Sequence, residues 1–468
     1  MAKTGIRILT ALCAAVWAAL LLGGCSSTRH VPDGSFLLDK VSITVEDSSR
    51  VATKKLYNYL RQQPNHKVLG LARMQLGVYN LSGRDSTTRF NRWLRKIGEE
   101  PVIYDEALTE QSARQLRQAL INAGFNDARV EVESNSPKEK KINVAYRLYP
   151  GAPHVISSVA YEVEDPALEE MVFADSVSWL VKAGGQLDRN ILDNQRALIA
   201  ERMRNNGYFA FTKEFISFFA DTVAGSKEVD LTMVIHNPKH KADDDAAKTP
   251  LMQMPRHRRY VYNKVTVVTD FSPGNDANGF DFAGRDTVNC RGIEILYGKD
   301  RYLTPKNIAE QCYIIPGENY STISIDRTYE ALNRLSILRY VNILTRPAGS
   351  TGDLELLDVY ILLSPTKKMG VTLELEGTNS EGDLGVGGGA TFQHRNLAHG
   401  GEMLTAKLRG SYESLSGNFD GLINHNYTEV AAELGITFPK FKAPFLSSSF
   451  KQKMRASTEF AVTFMRQE

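Results

Sequence analysis

The spacing of apolar residues divides the chain into two regimes. From about residue 41 to residue 363, short alternating runs bracket stretches whose apolar period is near 3.6, and the same order comes three times. In the first stretch a strand is predicted over 41–45. Ala113, Leu116 and Leu120 then form a helical stripe that stops at Gly124-Phe125, followed by strands over 128–132 and 142–148. In the second, a strand over 155–163 precedes a wider helical face of Ile191, Leu192, Leu198, Ile199 and Met203. That face ends at Asn206-Gly207-Tyr208, and strands over 211–219 and 229–235 follow. In the third, a strand over 261–268 precedes a stripe of Ile325, Tyr329 and Leu332 ending near Leu335-Ser336, then strands over 340–344 and 354–363. Each stripe predicts a helix laid on a small sheet. Gly124 and Gly207 are placed to stop their helices in the left-handed region, where a β-carbon costs about 1 kcal/mol or more. Gly225 reads as an ordinary loop position. The repeat is degenerate: residues 64–107 make a long inter-helix connection in the first stretch, and the third carries a Gly/Asp/Asn-rich insertion over 271–289.

From residue 370 the period becomes two. Val371, Leu373 and Leu375 alternate with Thr372, Glu374 and Glu376; Leu404, Ala406 and Leu408 with Thr405, Lys407 and Arg409. Ala432, Leu434, Ile436 and Phe438 alternate with Glu433, Gly435 and Thr437. Ala456, Thr458, Phe460, Val462 and Phe464 alternate with Ser457, Glu459, Ala461 and Thr463. Segments of about ten residues with turn residues between them suit transmembrane β-strands. A soluble sandwich with one wet face alternates in the same way, so period alone leaves both open.

The N-terminus changes the picture. Lys3 and Arg7 precede an apolar run over 8–22 and then Gly23-Gly24-Cys25, the layout of a secretory signal. Leu22-Gly23-Gly24-Cys25 resembles a bacterial lipobox, in which the cysteine sulfur is acylated and the cysteine becomes the new N-terminus. Cys25 is thus the expected lipid-attachment residue, and residues 1–24 leave the fold. Ser26-Ser27, without an acidic residue, are compatible with forwarding to the outer membrane in the lipoproteins this resembles. Cys290 and Cys312 lie 22 residues apart, and an oxidising compartment leaves a disulfide and two buried thiols both open.

Composition mainly excludes. The 468 residues leave room for about three domains, and 42% hydrophobic residues are enough for real cores. Lys and Arg total 56 against 54 Asp and Glu, a net charge of +2, which gives no argument for a nucleic-acid partner. After residue 22 no apolar run approaches the roughly 18–20 residues of a spanning helix, which rules out a polytopic helical membrane protein and leaves a β-barrel open. No catalytic constellation is present, so no enzyme, cofactor or metal is expected. Gly385-x-Gly387-x-x-Ala390 fits a dinucleotide fingerprint formally, but no helix is predicted after it to receive a pyrophosphate. His236, His240 and Asp243-Asp244-Asp245 sit among Pro238, Pro250 and Pro255, which reads as a solvated linker rather than a metal site.

Strand-helix-helix-strand-strand in tandem is similar to POTRA domains, the polypeptide-transport-associated modules. Ile315-Pro316-Gly317-Glu318-Asn319-Tyr320 matches that family's Gly-x-x-Tyr turn before the second helix. Gly385-Val386-Gly387-Gly388-Gly389-Ala390-Thr391-Phe392, Arg395-Asn396-Leu397 and Gly400-Gly401 resemble the first barrel hairpin of the BamA/TamA outer-membrane assembly factors. Together with the lipobox, the chain resembles a TamA-like lipoprotein of that superfamily over essentially its whole mature length.

The resemblance implies tandem α+β POTRA-like modules (β-α-α-β-β) followed by the first strands of an antiparallel transmembrane β-barrel. The expected division is a lipoprotein signal peptide over 1–24, a lipidated tether over 25–35, modules over 36–152, 153–238 and 258–365 with a linker over 239–257, and barrel from 366 to 468. It implies an outer-membrane assembly or translocation factor, lipid-anchored with its modules in the periplasm. The implied partners are unfolded outer-membrane protein clients, outer-membrane lipid and other envelope assembly proteins. Clients would add a strand to an exposed sheet edge. The expected client-binding edge is the third module's second strand: Arg339, Tyr340, Val341, Asn342, Ile343, Leu344 and Thr345, with Val341 and Ile343 on the apolar side. Two features depart from the family: residues 370–468 hold about five strands where a closed barrel needs about eight, and the Arg-Gly-Phe tripeptide of the family's lumenal loop is absent. An incomplete barrel is therefore expected. The rival is a periplasmic lipoprotein scaffold with a soluble C-terminal sandwich.

Overall fold

In a computed structural model of the chain, the described residues are 27–47, 51–68, 73–83, 85, 87–174, 176–223, 225–238, 256–272, 284–380, 383–414, 426–442, 445, 450, 454 and 456–468. Cys13, Cys25, the rest of the leader and most of the 239–257 linker, His240 and the Asp triplet included, lie outside them. The chain is mixed α/β and divides into two compact units, described separately below.

The first unit carries two three-stranded sheets. In the first sheet β1 (Leu37–Val45) pairs in parallel with β3 (Lys141–Tyr149), and β2 (Arg129–Lys138) runs antiparallel on β3's other side. Between β1 and β2 come α1 (Thr53–Leu56), α2 (Met74–Leu81), α3 (Arg89–Ile97) and α4 (Glu106–Asn122). The long 64–107 connection therefore holds two helices. On α4, Leu116 and Leu120 are fully buried against Leu38, Ile142, Val144, Tyr146 and Leu148. Asp105 caps its start by accepting from the Leu108 amide at 3.1 Å. Its end is a Schellman turn: Gly124 has φ +94°, the Phe125 amide donates to the Leu120 carbonyl and the Gly124 amide to that of Ile121.

The second sheet repeats this order, β4 (Val155–Val163) parallel to β6 (Glu228–Ile235) and β5 (Ile216–Asp221) antiparallel at the edge. The helices α5 (Pro166–Phe173) and α6 (Arg189–Asn205) intervene in sequence. Ile191 and Leu192 of α6 pack with Ile156, Leu231 and Phe218. The strand expected over 211–219 starts only at Ile216. Phe211 is buried in a turn and packs against Phe215 with ring centroids 5.6 Å apart, so its hydrophobicity serves that turn and not a strand. Gly207 has φ +102° at the end of α6, as expected, but Gly225 has φ +86° and is no ordinary loop residue.

In the second unit a five-stranded sheet has the order β10-β11-β7-β9-β8, with β7 (Arg259–Val268), β8 (Asp286–Cys290), β9 (Ile293–Tyr297), β10 (Leu338–Thr351) and β11 (Leu354–Pro365). The β7-β11-β10 part has the arrangement of the two smaller sheets. The β8–β9 hairpin is an addition that the apolar period does not predict: β8 overlaps the end of the Gly/Asp/Asn-rich 271–289 insertion and β9 follows it. Its two-residue turn, Arg291-Gly292, has φ +54° and +79°, the mirror-image turn that a tight hairpin favours. Helices α7 (Pro305–Gln311) and α8 (Thr322–Asn333) cover one face. The expected stripe on α8 is partly wrong. Tyr329 is 48% exposed, whereas Thr328 is buried because its hydroxyl donates to the Ser324 carbonyl and accepts from the Tyr313 amide. Cys290 and Cys312 are free thiols, and burial pushes that of Cys312 up to about 11.

The C-terminal sheet is a meander of five consecutive antiparallel strands: β12 (Met369–Ser380), β13 (Asp383–His394), β14 (Met403–Ser414), β15 (Asn426–Phe438) and β16 (Thr458–Gln467). The described strands form an open sheet with β12 and β16 at its edges. No helix among the described residues is long and apolar enough to cross a membrane, which says nothing of strands.

Candidate strand-capture edges and membrane-facing sheet

In all three α/β sheets the strand after the helix-ending turn, β2, β5 or β10, lies at an edge. Such a strand presents backbone N–H and C=O groups on one side to whatever can pair with them. β10 contains the seven residues singled out from the sequence but runs for fourteen residues, Leu338–Thr351. Val341 and Ile343 face the helix-covered core as expected. The opposite face is also occupied: Tyr340 stacks on Phe271 at 6.1 Å, and Leu344 packs with Val268, Leu296 and Leu362. Pro347 sits at a bulge in the outer half of β10, where the ladder register shifts. Proline has no amide to donate, so the continuous part of the edge is the stretch that precedes it.

The β5 edge has a feature that the sequence reading missed. A groove of about 480 Å³ runs beside it, lined by Arg189, Leu192, Asp193 and Arg196 of α6 and by residues 216–219 of β5. Arg196 ties the two walls by donating to the Ile216 carbonyl at 2.8 Å, and it pairs with Asp193 at 3.2 Å. Phe219 stands half exposed at the groove. The clue in the sequence was the i, i+3, i+7 spacing of Arg189, Leu192 and Arg196, which puts all three on one helix face.

The C-terminal sheet separates its residues by face. Register places Leu373 opposite Ala390, Ala390 opposite Leu408, Leu408 opposite Ala432 and Ala432 opposite Phe464. One row of apolar side chains thus crosses all five strands, and the neighbouring row Val371-Phe392-Ala406-Leu434-Val462 on that face is apolar too, while the row on the first row's other side, Leu375-Gly388-Gly410-Val430-Arg466, ends in a charge. The face is uncovered: Leu373, Leu375 and Leu408 are 78%, 87% and 63% exposed. The other face carries charge. Lys407 on β14 pairs with Glu433 on β15 at 3.1 Å, and Arg409 on β14 pairs with Glu376 on β12. The second pair reaches over β13, and glycine makes this feasible: a β-carbon at Gly387 would lie 3.0 Å from a Glu376 carboxylate oxygen. The glycines of the formal dinucleotide fingerprint therefore serve this strand packing, and β13 ends in a turn, not a helix.

That turn, residues 395–402, docks onto the helices of its own unit. Asn396 is buried; its side-chain oxygen accepts from the Gly401 amide at 2.9 Å and its nitrogen donates to the Tyr302 carbonyl. The His399 carbonyl accepts from the Thr304 amide at 3.1 Å, just before α7. Lys440, beyond β15, donates to Asn307 at 2.9 Å and pairs with Glu310 on α7. Burial lowers the Lys440 ammonium's pKa, and Glu310 opposes that loss.

Among the described residues no group of three His, Cys, Asp or Glu is placed to hold a metal ion. His236 pairs instead with Glu164 at 2.8 Å.

No protein-family model matches the chain, and no curated protein does. Among solved structures the chain is similar to POTRA domains 3–5 of BamA from Haemophilus influenzae, at 14% identity over 71% of this chain and 99% of that one, with a TM-score of 0.34. BamA from Haemophilus ducreyi lacking POTRA domains 1–3 aligns at 10% identity over 67% of this chain and 51% of that one, with a TM-score of 0.33. CdiB from Acinetobacter baumannii aligns at 8% identity over 92% of this chain and 54% of that one, with a TM-score of 0.23. The chain spans about half the length of the latter two.

Proposed function

We propose that this chain is a lipid-anchored outer-membrane assembly or translocation factor of the BamA/TamA superfamily. On this reading residues 36–152, 153–238 and 258–365 are POTRA-like modules in the periplasm, and residues from 366 onward contribute the first strands of a membrane barrel. Cys25 carries the lipid, and unfolded outer-membrane proteins are the clients. The observation that carries the reading is the two-faced C-terminal sheet. A soluble sandwich would bury the apolar face against a second sheet, but here large aliphatic side chains on it are mostly exposed while the other face is laced with ion pairs. Strands of 10 to 13 residues at about 3.3 Å per residue, tilted about 45°, also match an apolar layer of roughly 25 Å.

The test uses two positions on β14 that point to opposite faces. Leu408→Lys should cut the amount of chain recovered in the outer-membrane fraction severalfold, because a charge on the lipid side of a barrel costs about 2–4 kcal/mol near the midplane. Thr405→Lys, beside Lys407 on the polar face, should leave it near wild type. In a water-exposed sheet the two would be equivalent, so equal recovery rejects the barrel.

Client capture is assigned to the edge strands, with residues 339–345 of β10 and the grooved edge at β5 as the candidates. Strand addition needs amide donors and tolerates side-chain changes. Asn342→Pro should therefore weaken capture of an unfolded client peptide, and Asn342→Ala should do little, with circular dichroism confirming that both variants fold. Wild-type binding by both would remove β10 from the mechanism.

A further inference from the structure

Helix α3, RFNRWLRKI, lies in the connection that lengthens the first module, and it has two unlike sides. Leu94 is buried. Asn91 accepts from the Gly83 amide at 3.0 Å, and Arg95 donates to the Ser82 hydroxyl at 3.2 Å and to the Gly83 carbonyl at 3.0 Å. Arg95 also lies 5.7 Å over the Tyr79 ring. These contacts bolt one side of the helix to residues 79–83. On the other side Phe90, Trp93 and Ile97 are 66%, 55% and 48% exposed, and Phe90 stacks on Trp93 at 6.1 Å. At 100° per residue these three span about 60° of the helix surface, flanked by the exposed Arg89, Arg92 and Lys96.

An aromatic ridge beside a basic rim has the composition of helices that lie in the headgroup layer, with rings at the acyl boundary and cations among anionic phosphates. The position of the helix points the same way. Arg29 donates to the Asn80 carbonyl at 3.1 Å, the His30 ring is 3.1 Å from the Ser82 carbonyl, and it packs on Tyr79 at 5.6 Å. The chain just after the lipobox is therefore pinned to the same 79–83 segment that holds α3. Arg29 lies four positions after Cys25, a span of at most about 14 Å. We propose that α3 is a membrane foot: it seats Phe90, Trp93 and Ile97 in the surface of an anionic phospholipid bilayer, with Arg89, Arg92 and Lys96 on its phosphates. The proximity argument rests on acylation of Cys25; the exposed ridge and its charge do not.

Tryptophan fluorescence tests this. The chain from residue 25 onward is prepared without the leader and with Cys25→Ser, so that no acyl chain is attached. It is mixed with vesicles of phosphatidylethanolamine and phosphatidylglycerol carrying brominated acyl chains, or with brominated phosphatidylcholine vesicles as the neutral control. Trp179 is buried at 6% exposure, and a Trp93→Phe chain supplies the remaining background. Trp93 should shift to the blue and be quenched in the anionic vesicles, and much less in the neutral ones. Arg89→Glu and Arg92→Glu should each weaken that quenching at least about fivefold in lipid concentration. Phe90→Ser should weaken it without touching charge, and circular dichroism checks that each variant folds. Attachment through the apolar C-terminal sheet does not depend on lipid charge, so the difference between anionic and neutral vesicles and the effect of the Glu variants isolate the contribution of α3. Absent quenching, or quenching indifferent to lipid charge and to the Glu variants, overturns the proposal. So does a Trp93 shift seen only with added periplasmic protein. Mass spectrometry of the chain from cells reads Cys25 acylation independently. An unacylated chain with quenched Trp93 loses the anchor and keeps the foot, and an acylated chain with unquenched Trp93 loses the foot.

Discussion

Gly124→Val should destabilise the unit containing the first two sheets by about 2–5 kcal/mol. Two costs combine. A side chain at φ +94° is strained by about 1–2 kcal/mol, and the new β-carbon would lie 2.6 Å from the Leu187 backbone oxygen, an overlap in the range of overpacked sites at about 1–3 kcal/mol. The contact is confined because the Gly124 carbonyl accepts from the His154 amide at 2.9 Å and the His154 carbonyl from the Leu187 amide at 2.9 Å, so that neither segment can withdraw alone. Gly225→Val, at φ +86° with open space around it, should bear only the first cost. Trp93 and Trp179 both belong to this unit, so urea unfolding followed by tryptophan fluorescence reports on it. Equal midpoints for the two variants would show that the close approach at Leu187 is not rigid.

Asn396→Leu should release the 395–402 turn from its seat, at a local cost of about 1–3 kcal/mol. Leucine keeps the branching but leaves the Gly401 amide without its partner, at about 1–3 kcal/mol when buried, while the Tyr302 carbonyl retains only the His399 ring nitrogen at 3.2 Å. The effect is local, so hydrogen exchange is the measurement: the amides of Gly401 and of Thr304, which is bonded to the His399 carbonyl, should lose protection together. Leu397→Ala, in the same turn but nearly half exposed, should leave both protected. Unchanged protection in the Asn396 variant would mean that Lys440 and the backbone bonds hold the turn without it.

Much of this architecture was legible because period and punctuation agree. The opening strand over 155–163 was read to the residue, and Gly124 and Gly207 mark helix ends because only glycine occupies their backbone geometry cheaply. Four of the five C-terminal strands and their two faces follow from period two, whereas the glycine-rich β13 shows little alternation and is placed by its resemblance to a barrel hairpin. Edge position was legible too, since the repeated order puts the same strand at each edge. What failed did so for physical reasons. β8 and β9 have five residues each, too few to display a period, and they follow a Gly/Asp/Asn-rich stretch that reads as loop. On α8, Thr328 is buried through its hydroxyl bonds and Tyr329 is not, which a count of apolar residues inverts. The exposed ridge of α3 was invisible because an amphipathic pattern does not say which of its apolar residues the fold will cover.

The parallel pairing within each small sheet has a consequence for how the chain is made. Leu37 finds its partner at Lys141, and Val155 at Glu228, so the central strand of each of these sheets is also the last to arrive. Closing such long loops costs entropy, and the isolated bridges of Leu37 to Ile103 and of Val155 to Gln186 are the only earlier strand pairings described to offset it. If the chain is threaded across a membrane N-terminus first, as the proposed leader implies, β1 must wait for its ladder partner until about a hundred further residues have emerged, with only the short bridge of Leu37 to Ile103 available before then. The C-terminal meander has no such delay, because every strand pairs with the one just before it. The two parts of the molecule thus differ in their exposure to capture while nascent. The N-terminal sheets need protection until each is complete, whereas the meander can grow strand by strand as the chain arrives.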